Sequence, residues 1–127
     1  MIAARARRGG GNGTNEVVLE GRVSGQPERR TLPSGDELVT LRLVVRRDEG
    51  GVDTLRVAVG PAPPVGTRPA RGQIGRRLLS AAALLPADGQ VRVEGSLRRR
   101  WWRDGGTPQS LIEVRARAVE PLEQSGS

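Results

Sequence analysis

Residues 76–97, RRLLSAAALLPADGQVRVEGSL, hold a change of period on which the architecture turns. The first ten residues are dominated by Ala and Leu, contain no β-branched residue and run into Pro86, which predicts a short helix over 76–85. Ten residues are fewer than the ~12–15 that an isolated helix needs, so this one must pack on a larger element. After Asp88-Gly89 the pattern becomes two-residue. Val91, Val93, Gly95 and Leu97 alternate with Arg92, Glu94, Ser96 and Arg98, as in a strand buried on one face.

Working outward, the same alternation recurs on both sides. Val17, Leu19, Gly21 and Val23 oppose Val18, Glu20 and Arg22, until Ser24-Gly25-Gln26-Pro27 breaks the run. Leu32-Pro33-Ser34-Gly35-Asp36 reads as a turn. Val39, Leu41, Leu43 and Val45 then alternate with Thr40, Arg42, Val44 and Arg46. Arg47-Asp48-Glu49-Gly50-Gly51 is the next hairpin loop, followed by Leu55, Val57 and Val59 against Thr54, Arg56 and Ala58. Residues 61–74 are a Pro/Gly-rich insert, longer than most connections in a compact domain. Past residue 97, the polar loop Arg103–Pro108 closes a hairpin, and Ile112, Val114, Ala116 and Ala118 oppose Glu113, Arg115 and Arg117. The order β-β-β-α-β-β predicts an all-β protein: a five-stranded OB-fold barrel with one short helix between strands 3 and 4. Closing the sheet removes the edges that five separate strands would expose.

The 127 residues suit one domain. Residues 1–14 form a basic, Gly-rich tail expected to be disordered, 15–122 the barrel and 123–127 a loose C-terminus. With no Phe or Tyr and only two Trp, the core must be built from Val, Leu, Ile and Ala.

Composition excludes several chemistries. Without Cys or His there is no disulfide framework, thiol nucleophile, Cys/His zinc site or His-based triad. All 21 basic residues are Arg, which removes the P-loop lysine and Schiff-base chemistry. Asp36, Asp48, Asp53 and Asp104 lie in or beside turns, where Asp is favoured for local hydrogen bonding. The glycines from Gly9 to Gly13 neither follow a strand nor open a helix, so they form no dinucleotide fingerprint. No enzyme activity, metal or cofactor is expected. No run approaches 18 apolar residues and no secretory signal is visible, so a cytoplasmic protein without a membrane partner is expected.

The net charge of +7 gathers in the tail, the Pro-rich insert and the last hairpin, and its natural partner is a polyanion. Arg98-Arg99-Arg100-Trp101-Trp102-Arg103 holds both indoles. In an extended strand Leu97, Arg99 and Trp101 share one side, and Arg98, Arg100 and Trp102 the other. If Leu97 faces the core, the second set faces outward, where an indole stacks on a nucleobase and guanidiniums neutralise phosphates. Trp101 would then fold back as a lid or subunit contact, or join the binding. Arg56 with Thr54, and Arg46 with Arg47 at the mouth of the second hairpin, are candidates to extend the track. Arg22, Arg42 and Arg92 also lie on outward faces. Glu20, Glu94 and Glu113 alternate outward as well, so some of these arginines are expected to pair across strands.

The stretch Asn15-Glu16-Val17-Val18-Leu19-Glu20-Gly21-Arg22-Val23, continuing through Pro27-Glu28-Arg29-Arg30 to Pro33-Ser34-Gly35, resembles the first strand region of bacterial single-stranded-DNA-binding proteins. Gly89–Arg98 is similar to that family's fourth strand, Arg100–Gly105 to its basic-aromatic hairpin and Ile112-Glu113-Val114 to its last strand. The resemblance implies an OB-fold homotetramer or homodimer that wraps single-stranded DNA with little sequence preference, in replication, recombination or repair. It carries the stacking aromatic onto Trp102 and the basic contacts onto Arg98 and Arg100. The family's further aromatics on its second and third strands have no counterpart at Thr54, Leu55 and Gly60. The chain stops at Glu123-Gln124-Ser125-Gly126-Ser127 without the acidic tip that recruits replication and repair proteins, so such recruitment is not expected. These departures suggest a divergent paralogue that leans on Arg. The alternatives are an OB-fold RNA-binding protein, a primosome-type replication accessory protein or a pure assembly module.

Overall fold

The computed structural model describes residues 13–122; the expectations for the tail up to residue 12 and for 123–127 lie outside that range. Five strands and one helix follow in the order β1 (Val17–Thr31), β2 (Glu37–Arg46), β3 (Val52–Ala62), α1 (Arg76–Ala83), β4 (Gln90–Asp104) and β5 (Thr107–Pro121). The sheet closes as β1-β2-β3-β5-β4, with one short parallel ladder between β3 and β5 at Val57–Val59 and Val114–Ala116. This is the OB-fold arrangement that the order of elements predicts. No helix among the described residues is long and apolar enough to cross a membrane.

The inward face of each strand supplies the core. Val23, Val39, Leu43, Val57, Val59, Val91 and Val93 are fully buried. Each such side chain contributes about 1.5–3 kcal/mol relative to leaving it in water. α1 buries Leu79 and Ala82 in the same cluster. It ends at Ala83, two residues short of the expected end, because Leu84 leaves helical geometry ahead of Pro86.

Four departures from simple alternation shape the molecule. Ser24–Pro27 does not end β1; the strand runs to Thr31 through an irregularity, and pairing with β2 resumes at Glu28 and Thr40. A bulge tolerates both the positive φ of Gly25 and the missing N–H of Pro27. β3 runs two residues into the Pro-rich stretch. The last hairpin loop shrinks to Gly105-Gly106, both at positive φ, a turn whose twist matches its strands, so Arg103 and Pro108 are strand residues. Finally, β5 carries one extra residue, Arg117, where its register with β4 shifts between Glu94 and Gly95. Val119 therefore packs on the core in the place that alternation gives to Ala118.

β1 stops pairing with β4 at Gly95, yet β4 and β5 stay paired out to Asp104 and Thr107. The outer part is thus a two-stranded arm leaving the barrel. The Asn15 side chain covers its base: Nδ2 donates to the Leu97 carbonyl and Oδ1 accepts from the Leu97 N–H, both at 2.8 Å.

The hairpin between β1 and β2 is fixed by a charge cluster. Glu37 accepts from Arg29 Nε (2.7 Å) and from Arg76 Nη2 (2.6 Å) at the start of α1. These two bonds hold the Glu37 carboxyl below its ordinary value of 4.5. Its stabilising contribution is complete above that value and is lost as pH falls through the depressed one. Glu37→Gln is therefore expected to melt below the parent near pH 7, and the gap is expected to close as acidification protonates Glu37. A gap that stays constant in melts at falling pH would count against the cluster.

Candidate functional site

Pairing in the arm decides which side chains travel together. Arg98 lies opposite Glu113, Arg100 opposite Leu111 and Trp102 opposite Gln109, so these six share one face. Leu97 with Val114, Arg99 with Ile112 and Trp101 with Ser110 share the other. The second face continues the core side of the barrel, but the barrel has ended there. Leu97 is 48% exposed, Ile112 53% and Trp101 65%, so Leu97 is not the core residue that alternation suggests. The Arg99 guanidinium lies 5.5 Å from the Trp101 ring centroid and donates to Ser110 Oγ at 3.0 Å. Trp102, at 41% exposed, is open on the opposite face.

The Arg98 face of the arm overlooks a hollow on the outside of the barrel. Leu32 and Leu38 from the β1–β2 hairpin, Ala58 and Pro61 from β3, and Glu113 and Arg115 from β5 line it, together with Arg98, Arg99 and Arg100 from the arm. A second hollow lies over Ser24–Gln26, Glu28, Thr40, Arg42 and Arg56. Arg56 and its ion-pair partner Glu113 link the two into one trough across β1, β2, β3, β5 and the arm.

The trough is short of negative charge. Its deepest carboxylate, Glu113, stands on the outward face that alternation gives it but is buried there, and it takes Arg56 Nε at 3.2 Å, one of the arginine pairings expected of the outward glutamates. Burial, and then the charge of Arg98, hold the Arg115 guanidinium below its ordinary value, with Glu113 opposing. Arg115 donates to the Gly60 carbonyl, which fixes it in place. Among the described residues Arg98, Arg100 and Arg42 have no ion-pair partner. Arginines remain charged in such a setting, so the trough presents fixed cations that an anionic ligand would satisfy.

Not every sequence candidate reaches the trough. Arg98 and Arg100 line it, and Trp102 lies two positions further along the same face. Arg56 is there, but shared with Glu113. Trp101 is on the opposite face of the arm. Arg103 donates to the Gly106 carbonyl (3.1 Å) in its own turn. Arg47 is spent on the β2–β3 turn, bonding the Gly50 carbonyl and Asp53 and lying 3.8 Å from Glu49. Arg46 and Thr54 are exposed near that turn and line neither hollow. Arg22 pairs with Asp88, and Arg92 with Glu20, its register partner, which removes both from any track. Arg115 was missed. Its one sequence signal is its place two residues after Glu113, but its pocket depends on the parallel β3–β5 ladder.

No family model matches the chain. Single-stranded DNA-binding proteins of Thermus aquaticus and Thermus thermophilus are 30% and 31% identical to it over 114 residues, which is 90% of this chain. The chain spans 41% of the length of these relatives. Among solved structures, a Plasmodium falciparum SSB in complex with ssDNA superposes with a TM-score of 0.65 at 22% identity, covering 89% of this chain and 98% of that one. The N-terminal domain of a PriB protein from Thermoanaerobacter tencongensis, described as dimeric, gives 0.59 at 21% identity, covering 87% and 98%. At those identities the two structures speak for the fold alone.

Proposed function

We propose that this chain, whose barrel belongs to the OB-fold family of single-stranded DNA-binding proteins, holds unpaired DNA in the trough between the β1–β2 hairpin and the β4–β5 arm. The observation that carries the reading is the arm face. There Arg98 and Arg100 have no ion-pair partner among the described residues, and the Trp102 ring is open beside them. Phosphates neutralise the guanidiniums, and a base stacks on the indole for roughly 1–3 kcal/mol. OB folds use this face and these two connections for oligonucleotides. The groups offered are general to any sequence, so little sequence preference is expected.

The role is binding in DNA replication, recombination or repair, not catalysis, and the place of work is the cytoplasm. The chain acts as a dimer or tetramer. Supporting that assembly, the far face of the arm exposes Leu97, Trp101 and Ile112 together. Titration with a single-stranded DNA oligonucleotide is expected to quench tryptophan emission, and added salt to reverse the quench, because phosphate contacts release counterions. Competition with a matched RNA oligonucleotide separates this reading from an RNA-binding one, and a mass measurement in solution should exceed 13.6 kDa. Unchanged emission at low salt in a folded protein would overturn the reading.

A further inference from the structure

The stretch from Pro61 to Ala87 contains four arginines and no acidic residue. One of the four, Arg76, is engaged with Glu37 and with the Pro63 carbonyl (2.8 Å). The other three, Arg68, Arg71 and Arg77, are exposed and have no ion-pair partner among the described residues. A connection this rich in cations repels itself, and nothing in its own sequence relieves that.

The segment is nevertheless tied down. Ile74 N–H donates to the Pro61 carbonyl (3.0 Å), closing the loop at its base. Thr67 N–H bonds the Pro64 carbonyl (3.1 Å) and Gln73 N–H the Ala70 carbonyl (3.0 Å), two turns with Gly66 and Gly72 at positive φ. Gln73 also accepts from Ala70 N–H (2.8 Å) and donates to Asp36 Oδ2 (3.0 Å) on the β1–β2 hairpin. Pro61, Pro63, Pro64 and Pro69 fix φ and lower the entropy lost in holding this shape. The loop is therefore anchored to the hairpin that walls the trough, and it begins at Pro61, which lines the hollow itself.

Resting on the DNA-binding reading, we propose that Arg68, Arg71 and Arg77 form a second phosphate-binding strip, which takes the single strand as it leaves the trough past the β1–β2 hairpin. The strip has no ring to stack a base, so its contribution is electrostatic and independent of sequence. It lengthens the footprint of the barrel beyond the arm.

The test compares the full chain with a triple variant, Arg68→Ala with Arg71→Ala and Arg77→Ala. Two oligonucleotides are used, one of about 8 nucleotides, within the roughly 4–16 that one OB fold covers, and one of about 30. The variant is expected to bind the short oligonucleotide like the parent, which also shows that it folds. On the long one its log-affinity against log-salt slope should be shallower by about 2, at ~0.7 per lost contact on a single strand. A second triple variant with Lys at the three positions should restore the slope, because a phosphate accepts a point charge. Parental slope and affinity on the long oligonucleotide, with short-oligonucleotide binding intact, would overturn the strip and leave the trough standing. Failure of the parent itself to bind either oligonucleotide would overturn the trough reading and the strip with it.

Discussion

Replacing Arg98 and Arg100 together by Glu is expected to abolish measurable binding of single-stranded DNA at moderate salt while leaving the protein folded. Both side chains are exposed on the arm and carry no ion pair among the described residues, so their loss removes no contact that the barrel uses. Removing two phosphate contacts shallows the salt slope by about 1.4, at ~0.7 each. Reversal adds like-charge repulsion against the phosphates, which costs several kcal/mol, so the fall in affinity should reach about a hundredfold or more. The same pair in Ala form should fall less, and its deficit should shrink as salt rises, because an electrostatic contact is the one lost. Retention of parental affinity by the Glu pair, measured by fluorescence titration beside circular dichroism, would remove the arm from the interface. Trp102→Ala separates stacking from charge: it should weaken binding with the salt slope unchanged.

The second large effect concerns Gly95. It is the last β4 residue paired with β1, at Val17, and it sits at the register shift that admits Arg117 into β5. A Cβ there would lie 2.8 Å from the Arg115 carbonyl carbon and 3.0 Å from Ala116 Cα, and nearer still to the Arg115 carbonyl oxygen. All three are backbone atoms, which cannot turn aside as a side-chain end can. Gly95→Ala should therefore destabilise by about 3 kcal/mol, at the upper end of the usual cost of overpacking. For a chain of this size that lowers the melting temperature by about 10 °C. The arm is set by the same crossing, so DNA affinity should fall as well. Ser96→Ala, one residue on and half-buried, is the control and should stay within about 0.5 kcal/mol. A melting temperature unchanged by Gly95→Ala would refute the close backbone approach.

How much of this was legible depends on the residue. Val91 and Val93 announce their burial because a two-residue period reports a face wherever a strand lies over a core. Glu20 and Arg92 could each be expected to take a cross-strand partner, since both alternate outward, but that they meet each other is set by the β1–β4 register. Leu97 could not be placed, because its period continues past the point where the barrel stops; alternation names a side but not what covers it. Glu113 shows the same limit reversed. It stands on an outward face and is buried all the same, under Arg56 from a strand 57 residues away. Arg47 looked available in sequence, and the turn it belongs to consumes it.

The sequence by itself determined the β-β-β-α-β-β order, an aliphatic core and an excess of guanidinium charge next to the two indoles. Those follow from local period and composition, which act over a few residues. Tertiary structure alone decided which arginines remain available to a ligand. That choice depends on carboxylates brought in by strand register, on the parallel contact of β3 with β5, and on the anchoring of residues 61–77 to the β1–β2 hairpin. Electrostatic pairing acts through space, and the spacing of residues along a chain does not encode it.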